Sequence, residues 1–297
     1  MAIPEDQLET WSRQGSITQS AETYNTIKRV LEGDGTPYAG KTVKVFLQGS
    51  YGNDTNIYAE SDVDIVIQSN EAFYYDVSPM PAPEQAAFHA AYPQPATYGY
   101  AKFKEDVIKV LKAQYGNAVV VGPKAISIAA NGSRRKADVI AAVQYRRYFS
   151  FKGYQNEHFE EGICFYTDDG TQIANYPRQH SANLTRKHQS SGEWFKPMAR
   201  ILKNARESLK DVKAIAADLA PSYYIEGLLY NVPPEQFRDS YSRTLDNCIA
   251  WLGAVDRSQF VCANEQYYLL REGYPVTWRE AKCAQFIAAL KNLRDRW

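Results

Sequence analysis

Hydrophobic positions recur with two different periods along this chain, and the change between them falls near residue 184. KTVKVFLQ (41–48) and DVDIVIQ (62–68) alternate branched aliphatic residues with polar ones, the period-two mark of strands. KAISIAA (124–130) and RRKADVIAAVQ (134–144) repeat that pattern on either side of Asn131-Gly132, a pair that favours a tight hairpin turn. Helical spacing interrupts the strands twice. Over 16–33 it aligns Ala21, Tyr24, Ile27, Val30 and Leu31 on one face, with Ser16 or Ser20 placed to cap the start and Gly33 to end it. Around 99–114 it predicts a second helix. YGNDTNIYAES (51–61) leaves room for a short one, and the stretch 71–98, rich in Pro, Ala and Tyr, reads as a surface insertion. From 184 onward WFKPMARILKNARESLK, PSYYIEGLLYNV, SRTLDNCIAWLGAV and TWREAKCAQFIAALKNLRDRW take over with helical periodicity.

This order predicts an α/β (α+β) chain. An N-terminal helix and a mixed β-sheet lobe occupy 1–183, an α-helical lobe occupies 184–297, and the two pack around a central cleft. No internal repeat or low-complexity linker separates them.

Composition narrows the function classes. At 297 residues and 44% hydrophobic, the chain can bury a sizeable core. Four widely spaced cysteines, Cys164, Cys248, Cys262 and Cys283, form no CxxC pair, so structural zinc is not expected. No apolar run approaches membrane-spanning length, and the start, MAIPEDQLETW, is acidic and polar, which predicts a cytoplasmic protein. Lys plus Arg (34) balances Asp plus Glu (34), so there is no global positive field for long nucleic acid. Any nucleic-acid chemistry should therefore involve something small. The 22 tyrosines fit mixed core and interface packing better than base-stacking surfaces.

The chemistry concentrates in three carboxylates. Asp62 and Asp64 lie two apart on one strand and leave its same face, while Val63, Ile65 and Ile67 take the other. Like charges this close repel unless they share a cation, and hard oxygen ligands suit Mg²⁺ or Mn²⁺. Asp138 lies in an apolar strand, where an acid needs a partner. A DxD pair alone more often marks a strand end facing water. Gly49-Ser50, at the end of its own strand, changes the picture: glycine lets backbone approach a phosphate, and a serine hydroxyl can hold its oxygens. Together these residues predict a nucleotide-plus-metal site.

QGSYGNDTNIYAESDVDIVI and KADVIAAVQ resemble the polymerase-β-like nucleotidyltransferase superfamily. Within it, NYPRQHSANLTRKHQSSGEWFKPMARILKNAR (175–206) and PSYYIEGLLYNVP (221–233) resemble the helical segments of bacterial cGAS/DncV-like nucleotidyltransferases, the cyclic-oligonucleotide synthases of antiphage (CBASS) signalling. The likeness runs from about residue 8 to 290. It implies that Gly49 and Ser50 form the phosphate-binding turn and that Asp62, Asp64 and Asp138 bind two Mg²⁺ ions. It also implies that Lys203 and Ser222 contact the triphosphate and that Tyr223 stacks on a base. By spacing alone, Lys203 falls off the stripe Trp194, Met198, Ile201, Leu202, Ala205, Leu209 and reads as a solvated lysine. Ser222 reads equally as a helix cap, and Tyr223, unlike Tyr224, stays off the buried stripe of its helix.

The resemblance further implies that nucleoside triphosphates, ATP and GTP among them, are the substrates. A ribose hydroxyl would attack an α-phosphorus to give a cyclic di- or trinucleotide that activates a downstream effector protein, and the enzyme itself would be a monomer. The animal DNA sensor's Cys/His cluster is missing, so activation by long DNA is not expected, and the ending at Trp297 lacks the small terminal residue through which some members are conjugated. Two other activities fit the same residues: transfer of a single nucleotide to a macromolecular or small-molecule acceptor, and silent nucleotide binding. A DxD glycosyltransferase would leave Gly49-Ser50 and Asp138 without a purpose.

Overall fold

The computed structural model describes residues 3–15, 17–59 and 62–297. In chain order the elements are α1 (Glu5–Ser12), α2 (Thr18–Leu31), β1 (Val43–Leu47), α3 (Gly49–Gly52), β2 (Val63–Asp76), α4 (Ala82–Ala91), α5 (Tyr100–Tyr115), β3 (Val119–Val121), β4 (Ile126–Ile128), β5 (Ala137–Phe151), β6 (Glu157–Tyr166) and β7 (Gln172–Asn175). The helices α6 (Pro177–Ser190), α7 (Phe195–Asp211), α8 (Ser222–Tyr230), α9 (Tyr241–Ala254) and α10 (Glu280–Arg296) complete the chain. They form two compact units, which do not follow a single cut after residue 183. One holds the described parts of 1–18 and 48–61 with 178–297, and the other holds 19–47 with 62–177.

The second unit is a seven-stranded mixed sheet with order β1-β2-β5-β4-β3, extended by β6 and β7 beside the far half of β5. β2 pairs in parallel with β5, and every other pairing is antiparallel. Val63, Ile65, Val66 and Ile67 of β2 are all buried, so both faces of the strand are covered there, although Val66 shares a strand face with Asp64. The stretch expected to be a surface insertion is instead built into this unit. Its first residues continue β2 to Asp76, and Met80 and Phe88 pack with Tyr148 and Phe151 in a separate apolar cluster. Phe88 is wholly buried and meets Tyr148 with ring centroids 4.8 Å apart.

Three local expectations shift in similar ways. The helix from residue 18 exists, but its buried line is Ser20, Thr23, Ile27 and Leu31; Ala21 and Val30 sit at its margins. Ser20 therefore lies inside the helix, and Ser16 lies outside the described residues. β4 and β5 do form a hairpin, in the register Ser127 opposite Asp138. Its connection is a longer loop, in which the Asn131 side-chain oxygen accepts from the Ser133 and Arg134 amides.

The first unit is helical. Its core gathers Leu8 of α1 with Met198, Ile201 and Leu202 of α7, Ile225, Leu228 and Leu229 of α8, and apolar residues of α9 and α10. The segment after Gln48 belongs to this unit because polar contacts bind it there. Asn56 accepts from Gln14 Nε2 at 2.9 Å and from the Gly15 amide at 3.1 Å. Gly15 lies so close to Ile57 that a Cβ there would stand 2.8 Å from the Ile57 carbonyl, which explains the glycine. No helix among the described residues is long and apolar enough to cross a membrane.

Candidate active site

In the sheet unit the three aspartates come from two adjacent strands and the residue just before one of them. Parallel register sets Asp64 directly beside Asp138, and Asp62 precedes β2 by one residue. Asp138 is the more enclosed of the outer pair: its Oδ1 accepts from Ser127 Oγ of β4. Lys136 crosses the front of the group, with its ammonium paired to Asp62 Oδ2 and 3.4 Å from Asp138 Oδ2. The Asp62 hydrogen bond, more than any other influence, raises the Lys136 pKa above its ordinary value. Two carboxylates thus already converge on one positive charge, as they would on a metal, and the oxygen-only donor set fits a hard divalent cation. Among the described residues no three His, Cys, Asp or Glu side chains are gathered closely enough to hold a metal ion.

In the helical unit, Gly49 turns the chain with φ +66°, a conformation that favours glycine, and opens the single turn α3. The Thr55 amide then closes back onto the Ser50 carbonyl at 2.9 Å. Positive φ at Asp54 is held in place by Lys196, 2.8 Å from its carboxylate, and by Arg200 Nη1, 2.6 Å from its carbonyl. Ser50 Oγ accepts from Lys203 Nζ at 2.8 Å.

Lys203 occupies neither a solvated face nor an open phosphate pocket in this structure. It is 0% exposed, because residues 48–59 cover the side of α7 opposite the apolar stripe. Its ammonium also reaches Glu226 Oε1 at 2.7 Å and the Thr55 carbonyl and hydroxyl at 3.1 Å each. Burial pushes the Glu226 carboxyl up, but the Lys203 charge and a hydrogen bond from His180 outweigh it and hold the pKa well below the usual carboxylate range.

Ser222 is the first residue of α8, with Pro221 in the cap position, and its Oγ accepts from Arg206 Nη1 at 3.0 Å. Tyr223 is half-buried. His180 stacks on one face of its ring, with centroids 4.9 Å apart and planes 19° apart, and Asn264 Nδ2 donates to its hydroxyl at 3.1 Å. Burial raises the Tyr223 hydroxyl well above its ordinary pKa. Tyr224 stacks on Trp278 instead, with planes 5° apart.

Sequence reasoning missed Glu226, His180, Thr55 and Lys136. Glu226 did carry a signal: it is an acid within the run Ile225, Leu228, Leu229, where burial demands a counter-charge.

With this geometry in place, comparison with known proteins decides the family. Residues 182–295 match the model of the cGAS/DncV-like nucleotidyltransferase C-terminal helical domain. The cyclic UMP-AMP synthase of Rhodothermus marinus is 36% identical over 299 residues, covering 100% of this chain and 99% of the relative. The chain belongs to the cGAS/DncV-like nucleotidyltransferases. A cyclic dipurine nucleotide synthase from Elizabethkingia meningoseptica is 33% identical, with 95% of each chain covered. The solved structure of the Rhodothermus marinus CdnE c-UMP-AMP synthase with Apcpp and Upnpp superposes with a TM-score of 0.88 at 35% identity, covering 99% of this chain and 97% of that one. The protein is therefore an enzyme, a nucleotidyltransferase with the mixed-sheet fold of these relatives.

Proposed function

We propose that this nucleotidyltransferase joins nucleoside triphosphates into a cyclic di- or trinucleotide with release of pyrophosphate, and that the product activates an effector protein in antiphage defence. What carries the reading is the registration of Asp64 beside Asp138, with Asp62 adjoining, in a chain that cyclic dinucleotide synthases match end to end. Those relatives favour a dinucleotide. Their products differ, cyclic UMP-AMP in one and a cyclic dipurine nucleotide in the other, so base choice varies among these relatives.

Mg²⁺ or Mn²⁺, two ions held by Asp62, Asp64 and Asp138, would acidify the attacking ribose hydroxyl and neutralise the leaving pyrophosphate. Asp138, fixed through Oδ1 by Ser127, accepts the hydroxyl proton at Oδ2. Gly49 and Ser50 place the triphosphate, with Lys203 acting on it through Ser50. Ser222 adds a second hydroxyl, and Tyr223, backed by His180, offers a base a stacking partner. In-line attack on the α-phosphorus then depends mainly on positioning and charge stabilisation.

Incubation with all four nucleoside triphosphates and Mg²⁺ or Mn²⁺, followed by mass spectrometry and linkage-specific nuclease digestion, tests the proposal. A cyclic dinucleotide with stoichiometric pyrophosphate is expected. Asp62→Asn with Asp64→Asn should abolish it without loss of fold, and product formed by that variant would refute the assignment. A labelled acceptor in place of a free cyclic product would favour single-nucleotide transfer.

A further inference from the structure

Three consecutive cations, Arg134, Arg135 and Lys136, lead into β5, and the first and last go to different places. The Arg134 guanidinium lies over the Tyr115 ring, 4.6 Å from its centroid, and donates to the Ala129 carbonyl at 2.8 Å. Lys136 instead extends the parallel ladder one step before β5. Its carbonyl accepts from the Val63 amide at 3.0 Å, which brings its side chain alongside Asp62. The ammonium pairs with Asp62 Oδ2 and lies 3.4 Å from Asp138 Oδ2, while the other Asp138 oxygen accepts from Ser127 Oγ. A divalent ion shared by Asp62 and Asp138 competes with the ammonium for these carboxylates, and the attacking ribose hydroxyl competes with it for Asp138 Oδ2.

Loading the site therefore displaces Lys136. Its side chain is 46% exposed, and a pair this open to water costs little to break. The ammonium cannot go far, because backbone pairing to Val63 keeps Lys136 beside Asp62, within one lysine side-chain length of the aspartates. Once divalent ions offset the carboxylates, a triphosphate is the strongest negative charge in reach, and an ammonium binds phosphate as a compact point charge. We propose that Lys136 exchanges partners: it pairs with Asp62 and Asp138 until metal takes them, and then binds a phosphate oxygen of the nucleoside triphosphate. One residue thus opposes binding of the bare metal and helps to hold the metal–nucleotide complex, which favours the arrival of both together. The proposal rests on the reading of the three aspartates as the metal site.

Two titrations on the intact protein read the two partners separately: Mn²⁺ by electron paramagnetic resonance without nucleotide, and Apcpp by calorimetry at saturating Mn²⁺. Lys136→Met is expected to bind Mn²⁺ up to about fivefold tighter, the scale of an exposed ion pair. The same variant should bind Apcpp about tenfold more weakly, the scale of one charge-assisted hydrogen bond. Opposite signs identify an exchange of partners, because a lysine that only supported the fold would weaken both. Lys136→Arg keeps the charge and should hold Apcpp within about threefold of the wild type. Apcpp bound by Lys136→Met at wild-type strength or tighter would overturn the proposal, and so would Mn²⁺ bound no tighter. Equal loss of Apcpp binding in Lys136→Arg and Lys136→Met would also overturn it, since the effect would not follow the charge. Mn²⁺ binding left unchanged by Asp62→Asn with Asp64→Asn would instead remove the metal site itself, and the proposal with it.

Discussion

Replacing Lys203 by methionine should convert a paired carboxylate into an isolated buried one, and the cost can be worked from the structure. Glu226 is 2% exposed and would keep only Thr55, Asn53 and His180 as partners. Removing one member of a buried ion pair costs about 3–5 kcal/mol. At about 2 °C per kcal/mol for a chain of this size, Tm should fall by about 6–10 °C at pH 8. The pH dependence makes the prediction specific. In the wild type the folded Glu226 pKa lies below its unfolded value of about 4.3, so the contribution is complete above that value and is lost as pH falls toward the folded pKa. Without Lys203, burial dominates and raises the folded pKa above the unfolded one. The variant then carries its full penalty at high pH and sheds it as acid protonates the carboxyl. The Tm gap between the two proteins, followed by circular dichroism, should therefore narrow from pH 8 to pH 5. A gap below about 2 °C, or one that does not change with pH, would refute the reasoning.

Lys136→Met removes the ammonium from Asp62 and Asp138, an exposed pair worth about 0.2–1 kcal/mol, so Mn²⁺ titrated by electron paramagnetic resonance should bind up to about fivefold tighter. Weaker binding would mean that Lys136 orients the carboxylates and does not compete for them. Burial pushes the thiols of Cys164 and Cys262 up to about 11 and those of Cys248 and Cys283 up to about 12. None should react with a disulfide reagent at pH 7.5 in the folded protein, and all four should react in guanidinium; rapid native reaction at any one would contradict its burial.

The sequence by itself determined most of the elements. Period-two alternation located β1, the start of β2, and the β4–β5 pair. The 3.6-residue stripe located α5 and α7 to α10, because both signals are local consequences of one side being buried. Asp62 and Asp64 read as a pair because period-two geometry sets alternate residues on one face, but β2 begins at Val63 and leaves Asp62 one residue before the strand. Tertiary structure decided which residues lie on a second buried face, and this is where the local pattern misled. Val66 is buried although it shares a face with Asp64, and Phe88 is wholly enclosed although its surroundings read as surface. Lys203 reads as a solvated cation because periodicity sees one apolar stripe. Residues 48–59, about 150 positions away in sequence, cover the opposite side of its helix and supply Ser50 and Thr55 as partners. Burying a charge requires partners that only the folded chain can bring, so the pattern of its own helix could mark Glu226 as an acid in need of a counter-charge but could not name Lys203 as that partner.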